Sequence, residues 1–279
     1  MISVQLPKFE ITSEEFFTAS IAMTTPLEKR KRLQGSFKAF AESISEYRHL
    51  ASTQCLHELN ATSDPFGGAW VKDFKSLYGS FLQNTDALGR QFYDALLVAH
   101  DLRICPYCGT REAKTLDHFL ARKHFPHLGI AFENLVACCP ECNQAKLDAV
   151  PDSREKTFFH PYYEEFPVRD WLIAEIRERQ PVTVAFDVAD GIPEVERIRH
   201  QFNELQLARI FSFHATNELM GNSWAIMKLG RMSTDSLLQH LSALADGASR
   251  YTWYPWKRAL YRALAADEWF CKLGFEMLT

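Results

Sequence analysis

The chain has 279 residues, 47% of them hydrophobic and 24% charged, which suffices for a substantial core in one large domain or two small ones. A formal net charge of -4 argues against a protein held on nucleic acid by bulk electrostatics, so any such contact must be local or assisted by a partner. The N-terminus has no charged stretch leading into an apolar one, and no apolar run is long enough for a bilayer, so the expected location is the cytoplasm, away from membranes.

In chain order, Thr25-Pro26-Leu27-Glu28 reads as a helix start, with Thr25 as N-cap and Pro26 at the first helical position. Leu33, Phe37, Phe40, Ile44 and Tyr47 recur at helical spacing, which predicts one amphipathic helix over residues 26 to 50. The basic run Lys29-Arg30-Lys31-Arg32 reads as its solvated face, with phosphate contact as the alternative. After Gly67-Gly68, Trp70, Phe74, Leu77 and Phe81 predict further helix, and Leu88, Phe92 and Leu96 carry it to about His100. These aromatic stripes, Trp70 and Phe74 among them, are read as core and not as base-stacking platforms. Helical periodicity disappears between Ile104 and about Asp148, where strand-like pieces and turn residues replace it. Further on, Val182, Val184, Phe186 and Val188 alternate up to an Asp190-Gly191 turn, predicting a strand. Pro193 opens a helix carrying Ile198, Phe202 and Leu205, and further helices are expected over 234 to 247 and 256 to 277.

Five of the seven cysteines fall between positions 105 and 142. Cys105-Pro106-Tyr107-Cys108 and Cys139-Pro140-Glu141-Cys142 each place two sulfurs three residues apart, so that a tight turn aims both at one ion. Two such pairs supply the closed tetrahedral set of a structural zinc, a better reading in a reducing compartment than a redox pair or disulfides. Cys138 reads as a buried strand residue, and Cys55 and Cys271 as small apolar core residues.

Between the pairs stands Thr115-Leu116-Asp117-His118-Phe119, and Asn143 and Lys146 follow the second pair. A zinc ribbon needs none of these. Phosphodiester hydrolysis needs a base, hard oxygen donors for a divalent cation and a positive group near the phosphate. Imidazole, carboxylate with amide, and ammonium answer those needs in turn.

With these residues in this order the segment resembles the HNH, or ββα-metal, endonuclease family. The corresponding positions are Cys105-Pro-Tyr-Cys108, Asp117-His118, Asn134-Leu135-Val136 and Cys139-Pro-Glu-Cys142-Asn143-Gln-Ala-Lys146. The resemblance implies strands over 112 to 118 and 135 to 138 and a helix over 140 to 148. It implies His118 as general base, Asp117 and Asn143 as holders of a catalytic Mg²⁺ or Mn²⁺, Asn134 as the residue that fixes the inter-strand loop and orients the base, and Lys146 as a phosphate contact. Asn143 stands where the family often has His, which leaves part of the coordination to water and substrate phosphate. Arg122, Lys123 and His124, with His127, lie in the inter-strand loop, where DNA contact competes with plain solvation. His160-Pro161-Tyr162-Tyr163 resembles a segment of HNH proteins encoded beside bacterial defence ATPases, which implies an antiviral effector with a partner ATPase.

The expected fold is therefore α+β, mainly α-helical: a helical region over 1–100, an HNH ββα motif with structural zinc over 101–150, and a mainly helical region over 151–279. The expected activity is metal-dependent hydrolysis of DNA, leaving 5′-phosphate and 3′-hydroxyl ends. Two alternatives stand beside it: a non-catalytic zinc module whose helices bind a protein, and an HNH nuclease acting on RNA such as tRNA.

Overall fold

In the computed structural model, residues 3–87, 89–98, 103–167, 170–250 and 253–278 are described, apart from the side chain of Ser249. The chain is α+β and mainly helical, with its strands in two separate two-stranded antiparallel sheets among the described residues. It divides into two units, one comprising residues 2–107 and 111–165, the other residues 166–279 with the short segment 108–110. No described helix is long and apolar enough to cross a membrane.

The first unit begins with α1, Ser13–Ala22. Thr12 Oγ1 accepts from the Glu15 amide at 3.2 Å, and the Glu15 carboxylate accepts from the Thr12 amide at 2.7 Å. This reciprocal cap satisfies two of the amides that a helix start leaves unpaired, and Thr-x-x-Glu is its sequence sign. The helix expected over 26 to 50 is two helices, α2, Leu27–Gly35, and α3, Phe37–Ser52. Gly35 is a poor helix former, and the buried Ser36 hydroxyl donates to Leu33 O at 2.7 Å, offering the backbone an alternative to the helical ladder. Pro26, not Thr25, occupies the N-cap of α2, without a side-chain hydrogen bond. Nor is the basic run a uniformly solvated face: the Arg32 guanidinium grips the buried Asp73 carboxylate at 2.9 and 3.1 Å, and Lys29 donates to Ser76.

Asp73 and Ser76 belong to α4, Val71–Leu77, which runs into a π-helical turn, Tyr78–Gln83. The helix expected to continue to His100 breaks over residues 84–87 and resumes as α5, Arg90–Leu97; Leu88 and His100 lie outside the described residues. Phe74 is 2% exposed, as expected of core, but Trp70, at the N-cap of α4, is 45% exposed. Ahead of α4 the chain turns at Gly67, whose φ is +54°; a Cβ there would lie 2.8 Å from that of Ala39. Both facts favour glycine. Phe17 stacks on Phe40 and Phe74, with Leu33, Ile44 and Tyr47 filling the same core. Cys55 is only half-buried, three residues past α3, and is not the core residue its isolation implied; Cys271 is buried as expected.

The first sheet pairs β1, Thr115–His118, with β2, Leu135–Cys138, in the register Thr115↔Cys138 through His118↔Leu135. Helix α6, Pro140–Lys146, follows directly and stops where Leu147 turns to φ +54°. The ββα order lies where the resemblance placed it, with β1 and α6 a few residues shorter than expected.

In the second unit β4, Val182–Val188, is the strand the alternation predicted, and Val182, Val184, Phe186 and Val188 are its buried face. Its partner β3, Leu172–Arg179, and the longest helix, α8, Leu207–Met232, had no clear sequence pattern. Around them lie α7, Val195–Glu204, which starts two residues after Pro193, and α9, Thr234–Ser249. The helix expected over 256 to 277 is broken into α10, Pro255–Ala266, α11, Glu268–Lys272, and a final 3-10 turn, because Asp267 caps α11 by accepting from the Phe270 amide at 2.7 Å.

Candidate functional site

Two knuckles frame the site. In the first, the Cys105 amide donates to Arg111 O at 2.7 Å, and Gly109 takes φ +65°, a turn that only glycine makes without strain. In the second, Cys139 is the N-cap of α6, and its sulfur accepts from the Cys142 amide at 3.4 Å. The sulfurs of Cys105, Cys108, Cys139 and Cys142 all lie within 4.8 Å of one another, and all four residues are fully buried. A tetrahedral zinc with bonds of about 2.3 Å sets its sulfurs about 3.8 Å apart, so this donor set fits that ion with small adjustments. Cys138 stands apart from the four: it is buried in β2, its sulfur is 3.7 Å from Thr115 Oγ1, and burial pushes its thiol pKa up.

The ββα unit also brings Asp117, His118 and Asn143 to one cavity of about 510 Å³, lined further by Lys75, Arg122, Lys123 and Asp148. Asp117 is 5% exposed, and its carboxylate accepts from the Tyr107 phenol at 2.8 Å and pairs with the Lys146 ammonium at 3.1 Å. Tyr107 sits between the two cysteines of the first knuckle, so the turn that presents those sulfurs also fixes this carboxylate. The phenol is fully buried beside Asp117, and burial first, then that charge, push its pKa well above the usual tyrosine value, so it remains a donor.

His118 Nε2 lies 3.1 Å from Gly129 O. A carbonyl only accepts, so this nitrogen carries the proton, and the neutral ring keeps its lone pair at Nδ1. Burial pushes the imidazole pKa down to about 4, overcoming the opposing pull of Asp117, so the ring is neutral at ordinary pH. The Tyr78 ring meets it edge-on at 4.6 Å, and the Arg122 guanidinium lies 5.0 Å over that same tyrosine.

The hydrogen bonds of the Asn134 side chain go not to His118 but to the loop that holds Gly129. The Asn134 amide oxygen accepts from the Leu120 N–H at 2.7 Å, its NH₂ donates to Leu120 O at 3.0 Å and Leu128 O at 3.3 Å, and its exposure is zero. The segment just before it is tied to α1: Ser13 Oγ donates to the Glu133 carboxylate at 2.6 Å and accepts from the Phe132 amide at 2.9 Å. Asn143 is half-buried and donates to Thr115 Oγ1 at 3.2 Å, which leaves its amide oxygen as the acceptor. Asp117 and Asn143 thus offer hard oxygen donors in one cavity, a chemistry that suits Mg²⁺ or Mn²⁺ completed by water and phosphate.

Lys146 is 9% exposed and does not line the cavity; its ammonium donates to His118 O at 2.9 Å besides pairing with Asp117. Of the loop residues, Arg122 and Lys123 line the cavity and His124 does not. His127 is neither solvated nor available to DNA. It is buried between Ser43 Oγ at 2.8 Å and Thr62 Oγ1 at 2.7 Å and stacks on Phe66, and burial lowers its pKa to about 3. Lys75 carried no sequence signal, since it lies in a different helix, outside the motif. His160, from the segment after the motif, is fully buried, with Nε2 2.9 Å from the Tyr47 hydroxyl and its ring against Phe119, while the Tyr162 hydroxyl donates to Leu135 O at 2.7 Å.

Residues 105–148 match the family model described as HNH endonuclease. These residues are an HNH endonuclease domain, and such a domain supports a nuclease-type function on a nucleic-acid substrate. Protein ea31 of Escherichia phage lambda is 28% identical over 263 residues, covering 84% of this chain and 87% of that protein. Its name speaks of no activity, defence system or ATPase. No solved structure matches the chain.

Proposed function

We propose that this chain is a metal-dependent endonuclease that hydrolyses the phosphodiester bonds of DNA, with His118 as general base. The observation that carries this reading is the convergence of His118, Asp117 and Asn143 on one cavity rimmed by Lys75, Arg122 and Lys123. His118 takes a proton from water at Nδ1 while Gly129 O holds Nε2–H; the water oxygen bonds to phosphorus, the P–O3′ bond breaks, and the leaving oxygen is protonated from solvent. Asp117 and Asn143 would hold the divalent cation, whose chemistry is to neutralise the phosphate and stabilise the leaving 3′-oxygen. Asn134 and Tyr107 act through these groups, the first by fixing the Gly129 loop and the second by holding Asp117. Lys146, buried outside the cavity, orients Asp117 and the His118 carbonyl in place of the phosphate contact that the resemblance implied.

The test is cleavage of plasmid DNA, with tRNA beside it, by the purified chain in Mg²⁺ or Mn²⁺, compared with His118→Ala. General-base removal is expected to cost about 10²- to 10⁴-fold in rate while zinc content and thermal midpoint stay unchanged. Equal rates for the two folded proteins would sink the assignment. Cleavage of tRNA alone would move the substrate to RNA.

A further inference from the structure

The cavity beside His118 is bounded by a cation that the HNH domain does not supply, besides Arg122 and Lys123, which it does. Lys75 comes from α4, which precedes the HNH domain in sequence. Its neighbours fix where it points. Asp73 and Ser76, flanking it, are held by Arg32 and Lys29 of α2, and Phe74, Leu77 and Tyr78 are buried, so the exposed Lys75 projects from the remaining side of the helix. The basic run of α2 therefore reaches the cavity indirectly, by setting the helix that presents Lys75.

Arg122 reaches the same cavity from the inter-strand loop. Its side chain lies along Gly129, where an added Cβ would meet Arg122 Cδ at 3.1 Å, and its guanidinium rests over Tyr78, the ring that meets His118. Among the described residues neither Lys75 nor Arg122 forms an ion pair with a carboxylate, whereas Lys123, the third cation, is 3.6 Å from Asp148. Two cations from separate elements, neither in an ion pair among the described residues, line the cavity that holds the general base and present positive charge to an anion longer than one phosphate. With a net charge of -4, the chain needs such local cations to hold nucleic acid at all.

We infer that Lys75 and Arg122 bind backbone phosphates adjoining the scissile one, making α4 part of the nucleic-acid site. This rests on the nuclease reading for its substrate class, but it is tested by binding alone. The experiment uses the full chain with His118→Ala, a short fluorescein-labelled DNA duplex and its single strand, and anisotropy over a salt series without divalent metal. Adding Lys75→Ala is expected to weaken binding several-fold on both DNAs and to lower the slope of log K against log salt by about one phosphate contact, with Arg122→Ala acting alike and the pair roughly additively. Lys38→Ala, an exposed lysine paired with Glu42 on α3, is the control and should change neither quantity. In the chain with His118 intact, Lys75→Ala should raise KM and leave kcat nearly unchanged, as loss of uniform binding does.

Unchanged affinity and salt slope in folded Lys75→Ala overturn the inference. So does a parent that binds neither DNA. A parent that binds with the expected slopes while the intact chain cuts nothing would leave this phosphate site standing and remove the nuclease reading instead.

Discussion

The two antiparallel hairpins of this chain solve the same problem in opposite ways. β3 and β4 join through a tight turn at Gln180-Pro181 and run for eight and seven residues, and β4 lays one apolar face against α8. That hairpin is held by alternation and burial, the usual means for a sheet with one wet face. β1 and β2 have four residues each, are joined by residues 119–134, and leave all of β2 buried, so strand pairing alone could not keep them in register. Their register is held from outside, by four cysteines at the ends, by Asn134 across the loop and by Tyr107 under Asp117. A hairpin made this way can give its long connection to chemistry, because the connection is itself clamped.

The largest effect that separates the two hairpins is metal removal. Structural zinc sites carry on the order of 10 kcal/mol of apparent binding energy in small domains, and here no long strand pairing compensates for its loss. Chelation, or Cys139→Ser, is expected to erase amide-exchange protection in β1, β2 and α6 and abolish cleavage, while β3 and β4 keep theirs. Protection lost equally in both hairpins would show that they are not held by separate means. The converse perturbation is Phe186→Ala. Phe186 is 5% exposed and meets Phe211 at 6.0 Å, so truncation should cost about 3 to 5 kcal/mol in the denaturation of the unit that holds it. Mg²⁺-dependent cleavage by the folded fraction should be unchanged.

The same contrast explains what could be read in advance. The cysteine cluster and the ββα order were legible because metal ligation demands particular residue types at short, fixed spacings, and the same short segment placed Asp117 and His118 in one cavity. β4 was legible from its alternation. β3 was not, since its exposed face carries Glu175, Arg177 and Arg179 and it follows a buried Trp171 without a turn signal. α8 hid because Phe213, Met220 and Trp224 are exposed on it, which blurs the apolar stripe that marks a helix. Lys75, the burial of His127 and the anchoring role of Arg32 depend on which helix packs against which loop, and local spacing carries none of that. Ser36 and Asp267 show the finer limit: one side chain bonding to nearby backbone divided a periodic stretch that reads as a single helix.

The smallest of these effects probes whether the knuckle acts on the chemistry or only on the fold. Tyr107→Phe keeps the ring that fills the buried space and removes only the hydroxyl 2.8 Å from Asp117. A buried hydrogen bond to a charged group contributes about 1.5 to 3 kcal/mol, and Lys146 at 3.1 Å still holds the carboxylate, so the loss should fall at the lower end. If the phenol positions Asp117 for the divalent cation, the Mg²⁺ concentration for half-maximal cleavage should rise about tenfold, with one equivalent of zinc retained. If it is merely structural, the thermal midpoint will fall and the Mg²⁺ dependence of the folded protein will not move. The two outcomes differ because the hydroxyl links the turn that carries the four-cysteine cluster to the carboxylate proposed to hold the divalent cation.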